Sequence, residues 1–199
     1  MAKVKLTKNE LKRQKDMLKR FQRYLPTLQL KKQQLQMVIR QVEQEEQRMV
    51  KERDRLRKGL EEWIAVFGEE YDVAGLVEIR ELETDIGNIA GIDIPVFRSL
   101  TFEPVSYNLF DTPLWVDEGV KILKELLKRE AQLRVLQRQR ELLAEELRIT
   151  TQRVNLFEKV KIPETKENIR QIRIYLGDQQ TAAVVRGKIA KNKVVGANA

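Results

Sequence analysis

A seven-residue apolar repeat restricts this chain more than anything else in it. Positions stepping by seven from Leu11 are Leu11, Leu18, Leu25, Lys32, Ile39, Glu46, Arg53, Leu60 and Phe67. The series three residues on reads Gln14, Phe21, Leu28, Leu35, Val42, Met49, Leu56 and Trp63, and thirteen of the seventeen positions are apolar. Such spacing is a coiled-coil seam. Thr7 and Glu10 have the spacing of a capping box, which starts the helix near residue 8. Helical residues 8–67 span about 90 Å at ~1.5 Å per residue. A compact chain of 199 residues has a radius of gyration near ~16 Å, so the sequence predicts an elongated molecule.

Lys32, Glu46 and Arg53 interrupt the seam. Long stems that lie along the seam with their heads in water account for them; a polar seam that fixes register or receives another subunit is the less favoured reading. Pro26 removes a backbone donor. The seam keeps its phase through Phe21, Leu25 and Leu28, so the expectation is a kink in one helix rather than two helices.

A second seam runs through Leu126, Arg129, Leu133, Leu136, Arg140, Leu143, Leu147, Thr150, Val154 and Phe157, in a helical stretch over 116–162. Pro163 marks either a kink or the first residue of a new helix. Ile169, Ile172, Leu176 and Ala183 then resume a helical face, and the tail after it is expected to fray. Two seams in one chain pair with each other, antiparallel if the chain goes out and returns.

Between the arms the sequence changes. Residues 1–67 carry 18 basic and 9 acidic side chains, residues 68–117 carry 2 and 11, and residues 118–199 carry 18 and 10. Residues 1–58 and 120–176 contain no glycine, whereas Gly68, Gly75, Gly87, Gly91, Pro95, Pro104 and Pro113 crowd the acidic middle. The predicted fold class is therefore mainly α: a long antiparallel two-helix coiled coil with a short insert containing a β-hairpin. The divisions are 1–67, an N-terminal coiled-coil helix; 68–115, an acidic globular insert; and 116–199, a C-terminal coiled-coil helix. The hairpin is assigned to Val96–Phe102 and Val105–Phe110, on their aromatic and β-branched content. Asp111, Thr112 and Pro113 look like a cap followed by proline in the first helical turn.

The chain has no cysteine and no histidine. That removes thiolate metal sites, cysteine nucleophiles and the commonest general base. It has no phosphate-cradling glycine motif and no calcium-loop spacing. No catalytic residue, no cofactor-binding residue and no metal ligand is assigned. No apolar run is long enough to cross a membrane, and residues 1–16 lack the apolar core of a signal peptide. Basic residues alternate with acidic ones and aromatics make up only 6% of the chain, which speaks against nucleic acid. The densest basic cluster is Arg186, Lys188, Lys191 and Lys193. Either these charges complement a helix C-terminus or they contact an acidic partner surface.

Three stretches carry a family resemblance: LTKNELKRQKDMLK near the start, DTPLWVDEGVKILKELL at the returning helix, and IRQIRIYLGDQQTAAVVRGKIAKNK near the end. Together with the two-arm frame they resemble the D subunit of V-type (archaeal A-type) rotary ATPases, in its bacterial branch. RYLPTLQLKK departs from the smoother leucine-rich helix of archaeal and eukaryotic members. The resemblance implies a central-stalk rotor shaft, itself not an enzyme, that couples ion translocation to ATP synthesis or hydrolysis by rotation. It implies as partners a ring of catalytic and non-catalytic subunits (A and B type), a small F-type stalk subunit and a funnel-like subunit of the membrane rotor. It places the chain on the cytoplasmic side of the cell membrane, without insertion into it. A stand-alone helical-hairpin adaptor or chaperone is the alternative that the residues leave open.

Overall fold

The computed structural model describes residues 4–67, 74–105, 112–113 and 115–197. Helix α1 spans Lys8–Phe67 without interruption. The Glu10 N–H donates to Thr7 Oγ1 at 3.2 Å, which starts the helix where the capping signal predicts. Glu10 does not complete the box. Its carboxylate reaches along the helix and accepts from buried Gln14 Nε2 at 2.8 Å. Pro26 sits inside α1. It is exposed, so its ring lies off the seam. Each seam position from Leu11 to Leu60 is buried or half-buried. The seven-residue spacing thus selects the covered stripe of the helix.

The chain divides into two compact units, residues 32–148 and residues 1–31 with 149–199. In the first, α1 pairs with α2 (Val116–Asn155). Three ion pairs cross between them: Glu46–Arg140 at 2.8 Å, Glu52–Arg129 at 3.5 Å and Arg53–Glu130 at 3.4 Å. From Glu46 to Glu52 and Arg53 the partner falls from Arg140 to Arg129 and Glu130, so the pair is antiparallel. Two of the three charged seam residues therefore have interhelical partners, where the sequence favoured stems reaching to water. Lys32 is half-buried.

The insert contains one antiparallel hairpin, β1 (Ile79–Ile89) and β2 (Ile92–Phe102). This corrects the strand assignment. Val96–Phe102 is strand, but its partner lies before it in sequence. Val105 is outside any strand, and residues 106–110 lie outside the described residues. The turn is two residues, Ala90 at φ 54° and Gly91 at φ 79°. Two positive φ values match the right-handed twist of the strands. Asn88 locks the turn: its side-chain oxygen accepts from the Gly91 N–H at 3.1 Å and its amide donates to Asp93 at 2.7 Å. The sequence hid this turn because Ala-Gly is a weaker signal than Asn-Gly, and because the glutamates of β1 have low strand propensity.

At the inner end of the hairpin, Ile94 is 3% exposed and packs against Leu35, Val42 and Leu143. Buried Gln139 donates from Nε2 to the Pro95 carbonyl. Near the base, the Lys124 ammonium lies 5.7 Å from the Phe102 ring centroid. Trp115, Val116 and Val120 form a second cluster with Leu76 and Val77. Helix α2 begins at Val116, after Pro113 rather than around it, with the Val116 N–H donating to the Pro113 carbonyl at 3.0 Å. The expected cap, Asp111, lies outside the described residues.

Gly91 gives a first test. An L side chain at its φ costs about 1–2 kcal/mol. Gly91→Ala should speed amide exchange across the β1–β2 ladder roughly 5- to 30-fold, that energy expressed as an opening constant. Unchanged ladder protection would mean that the turn does not hold the strands together.

Candidate partner-binding surface

In the second unit, residues 1–31 with 149–199, α1 packs on the end of α2 and on α3 (Ile162–Ala197). The rings of Phe21 and Phe157 lie 5.2 Å apart, tilted by 37°. Gln14, Thr150, Val154, Thr165, Ile169 and Ile172 are buried. The seam steps by three and four through Leu147, Thr150, Val154 and Phe157, and then by four through Lys161, Thr165 and Ile169. That is one residue too many for the repeat. The chain absorbs it as a π turn, Leu156–Lys161, in which the Ile162 N–H donates to the Phe157 carbonyl. Pro163, without an N–H, follows directly. Thr165 Oγ1 donates to the Lys161 carbonyl at 2.6 Å. Pro163 is the second residue of α3, so of the two expected readings the start of a new helical element is the nearer one, with the π turn joining it to α2.

Beyond this core, α3 runs bare. From Arg173 to Val194 every residue is exposed except half-buried Leu176. The helix extends to Ala197. Alanine, lysine and arginine are favourable helix formers and sustain it. Arg186, Lys188, Lys191 and Lys193 all lie on this stretch, fully in solvent. Helical spacing sets Arg186 with Lys193 on one side and Lys188 with Lys191 on another, so they form two pairs and not one patch. A helix-dipole account covers none of them: the last turn of α3 holds no basic residue, and the dipole effect fades within that turn.

Sequence reasoning missed what lies between the charges. Ile174, Tyr175, Val184 (59% exposed), Val185, Ile189 and Val194 are large apolar side chains in solvent. The signal was present, since AAVVRGKIA carries apolar residues on more than one helical face. Added Cβ atoms at Gly177 and Gly187 would meet nothing within 4 Å.

Just before the bare stretch, Arg170 grips Glu167 with two hydrogen bonds of 2.8 and 2.7 Å. The Arg170 bonds, helped by Gln171, pull the Glu167 carboxyl from 4.5 down to about 2. A lowered value means the pairing is fully present above 4.5 and is lost as pH falls through about 2. A carbon-13 titration of the Glu167 carboxyl should have its midpoint near that lower value. Arg170→Ala should move the midpoint up toward the ordinary one; no movement would show that Arg170 is not the cause.

Among the described residues, no group of three acidic side chains could hold a metal ion. No helix there is long and apolar enough to cross a membrane. What the surface offers is a basic and apolar helix available to a protein partner.

Comparison with known proteins agrees over the same length of chain. The profile of a family described as the ATP synthase D subunit matches residues 10–192. A V-type ATP synthase D subunit of Borreliella burgdorferi is 50% identical over 198 residues, 100% of this chain and 98% of the relative. Those of Chlamydia caviae and Chlamydia pneumoniae are 38% identical over 140 residues and 39% identical over 117 residues. They cover 67% and 59% of this chain, and 67% and 56% of the relatives.

Proposed function

The chain belongs to the ATP synthase D subunit family, and from that membership we propose that it is the central-stalk rotor shaft of a V-type rotary ATPase. Its rotation couples ion translocation across the membrane to ATP synthesis or hydrolysis. It is a non-catalytic subunit, held peripherally on the cytoplasmic side of the membrane through its partners. In this reading the bare stretch of α3 stands within the ring of catalytic and non-catalytic subunits. The small F-type stalk subunit binds the paired helices, and the acidic segment 68–115 serves as a separate part toward the funnel subunit of the membrane rotor.

One observation carries the reading: residues 173–194 form a helix exposed on nearly every side, apolar and basic together, with a relative named as a synthase subunit matching along its whole length. A shaft needs stiffness and no catalytic group. The ion pairs Glu46–Arg140, Glu52–Arg129 and Arg53–Glu130 oppose sliding of one helix along the other, as charged pairs do in coiled coils.

The test is purification of the tagged chain from its native cells, beside a version ending at Asp178. The full chain should bring down a nucleotide-binding ring in fixed stoichiometry, and the shortened chain should lose it. A full chain that emerges alone would support the adaptor reading instead.

A further inference from the structure

We propose that residues 4–7 are a strap that clamps the π turn Leu156–Lys161, and that strap and turn together form a joint in the returning helix whose stiffness the strap sets. The device lies wholly within one compact unit of this chain and stands independently of the rotor reading.

The π turn is a weak stretch of the helical ladder. Its bonds span an extra residue, as the Ile162 N–H to Phe157 carbonyl bond does. Turns of this kind are rare inside helices and often sit at functional positions. Pro163 follows and supplies no N–H to the next rung. None of the six residues of the turn is buried. Few buried contacts and an interrupted ladder are the conditions for local opening. Phe157 is half-buried and holds the turn to α1 through the Phe21 ring. Val160, 48% exposed, is left open by α1.

The strap meets the part that α1 leaves open. Before α1 begins, the Thr7 N–H donates to the Lys5 carbonyl at 3.0 Å, a tight bend in the chain. Val4 and Leu6 then line one groove of about 950 Å³ together with Val160 and Pro163. Val4 is half-buried although it belongs to no helix or strand. The apolar walls of the groove thus come from the strap on one part and from the turn and its proline on the other. Lys161, paired with Glu164 at 3.2 Å, stands at the rim. With the strap seated, apolar contact across the groove opposes opening of the turn. With the strap lifted, the turn opens more readily, and α3 can twist against α1 just ahead of its bare length.

The experiment is amide exchange on the full-length chain, in four versions. One is unaltered, and one combines Val4→Ser with Leu6→Ser. The other two repeat this pair in a chain lacking Glu158, an exposed residue of the turn outside the groove. Deleting one residue there removes the surplus of the repeat and lets the ladder close as a regular α-helix. The strap substitutions should speed exchange at residues 159–162 and 164–166 about fivefold or more in the unaltered background, and less than about twofold in the shortened one. The amides of Glu10, capped by Thr7, and of Ile172 should not change in either. No acceleration in the unaltered background overturns the proposal. Equal acceleration in both backgrounds does so too, because the strap would then cover the helix whatever its ladder. Acceleration that extends to Ile172 overturns it as well, by making the strap general packing. If the chain lacking Glu158 loses helical content by circular dichroism, deletion of Leu156 takes its place. Loss of folding in both deletions would show that the turn holds no surplus residue, and the joint fails with it.

Discussion

Leu143→Ala should lower the stability of residues 32–148 by about 2–5 kcal/mol, the range for a fully buried leucine that leaves a cavity. Leu143 has no exposed surface and lies where three elements meet: Leu35 and Val42 of α1, Ile94 of β2, and α2 itself. Truncation removes contacts from the helix pair and the hairpin together, and α1 cannot collapse into the gap without dragging the seam. Leu156, 44% exposed on the π turn, is the control; Leu156→Ala should cost under ~1 kcal/mol. Urea unfolding followed by circular dichroism checks both, through a midpoint shift at unchanged slope. Amide exchange should also rise around Ile94, because the hairpin loses its anchor. Equal midpoints for the two variants would show that this cluster is not what holds the unit together.

Reversing Arg186, Lys188, Lys191 and Lys193 to glutamate should leave the isolated chain folded and sharply weaken its binding to the catalytic ring. All four are exposed and make no intrachain ion pair among those found in the described residues, so folding loses nothing through them. Single alanine changes should matter little, since exposed pairs contribute about 0–1 kcal/mol each. The quadruple change is different in kind: it replaces attractions with like-charge contacts, which cost more than a lost attraction. If the stretch stands within a ring as proposed, the two basic pairs face different directions and their reversal acts on more than one wall at once. Added salt should weaken the native complex and partly rescue the reversed one. Ring binding of both versions across a salt series measures this. Equal affinity at low salt would assign the cluster to solvent alone.

Where the same spacing rule acts along one helix, the sequence was sufficient. It determined the seam from Leu11 to Leu60, the start at Thr7, the uninterrupted passage through Pro26, the second seam from Leu126 to Phe157 and the acidic insert between basic arms. These follow from residues three, four or seven apart, which neighbour each other on any helix whatever it packs against.

Tertiary structure decided the rest. Val96–Phe102 was recognisable as strand, but its pairing with β1 and not with the residues after it depends on a turn that only the closed ladder stabilises. Glu46 read as a seam defect until Arg140, 94 residues away, came within 2.8 Å. Pro163 read as a kink or a helix start, and the π turn that takes up the extra seam residue just before it had no local signal. The bare, apolar and basic length of α3 became visible only when the packed core of its unit was seen to end near Leu176. The common physical reason is that which partner a side chain meets across space is a long-range choice, set by the free energy of the whole packed arrangement, and no local spacing encodes it.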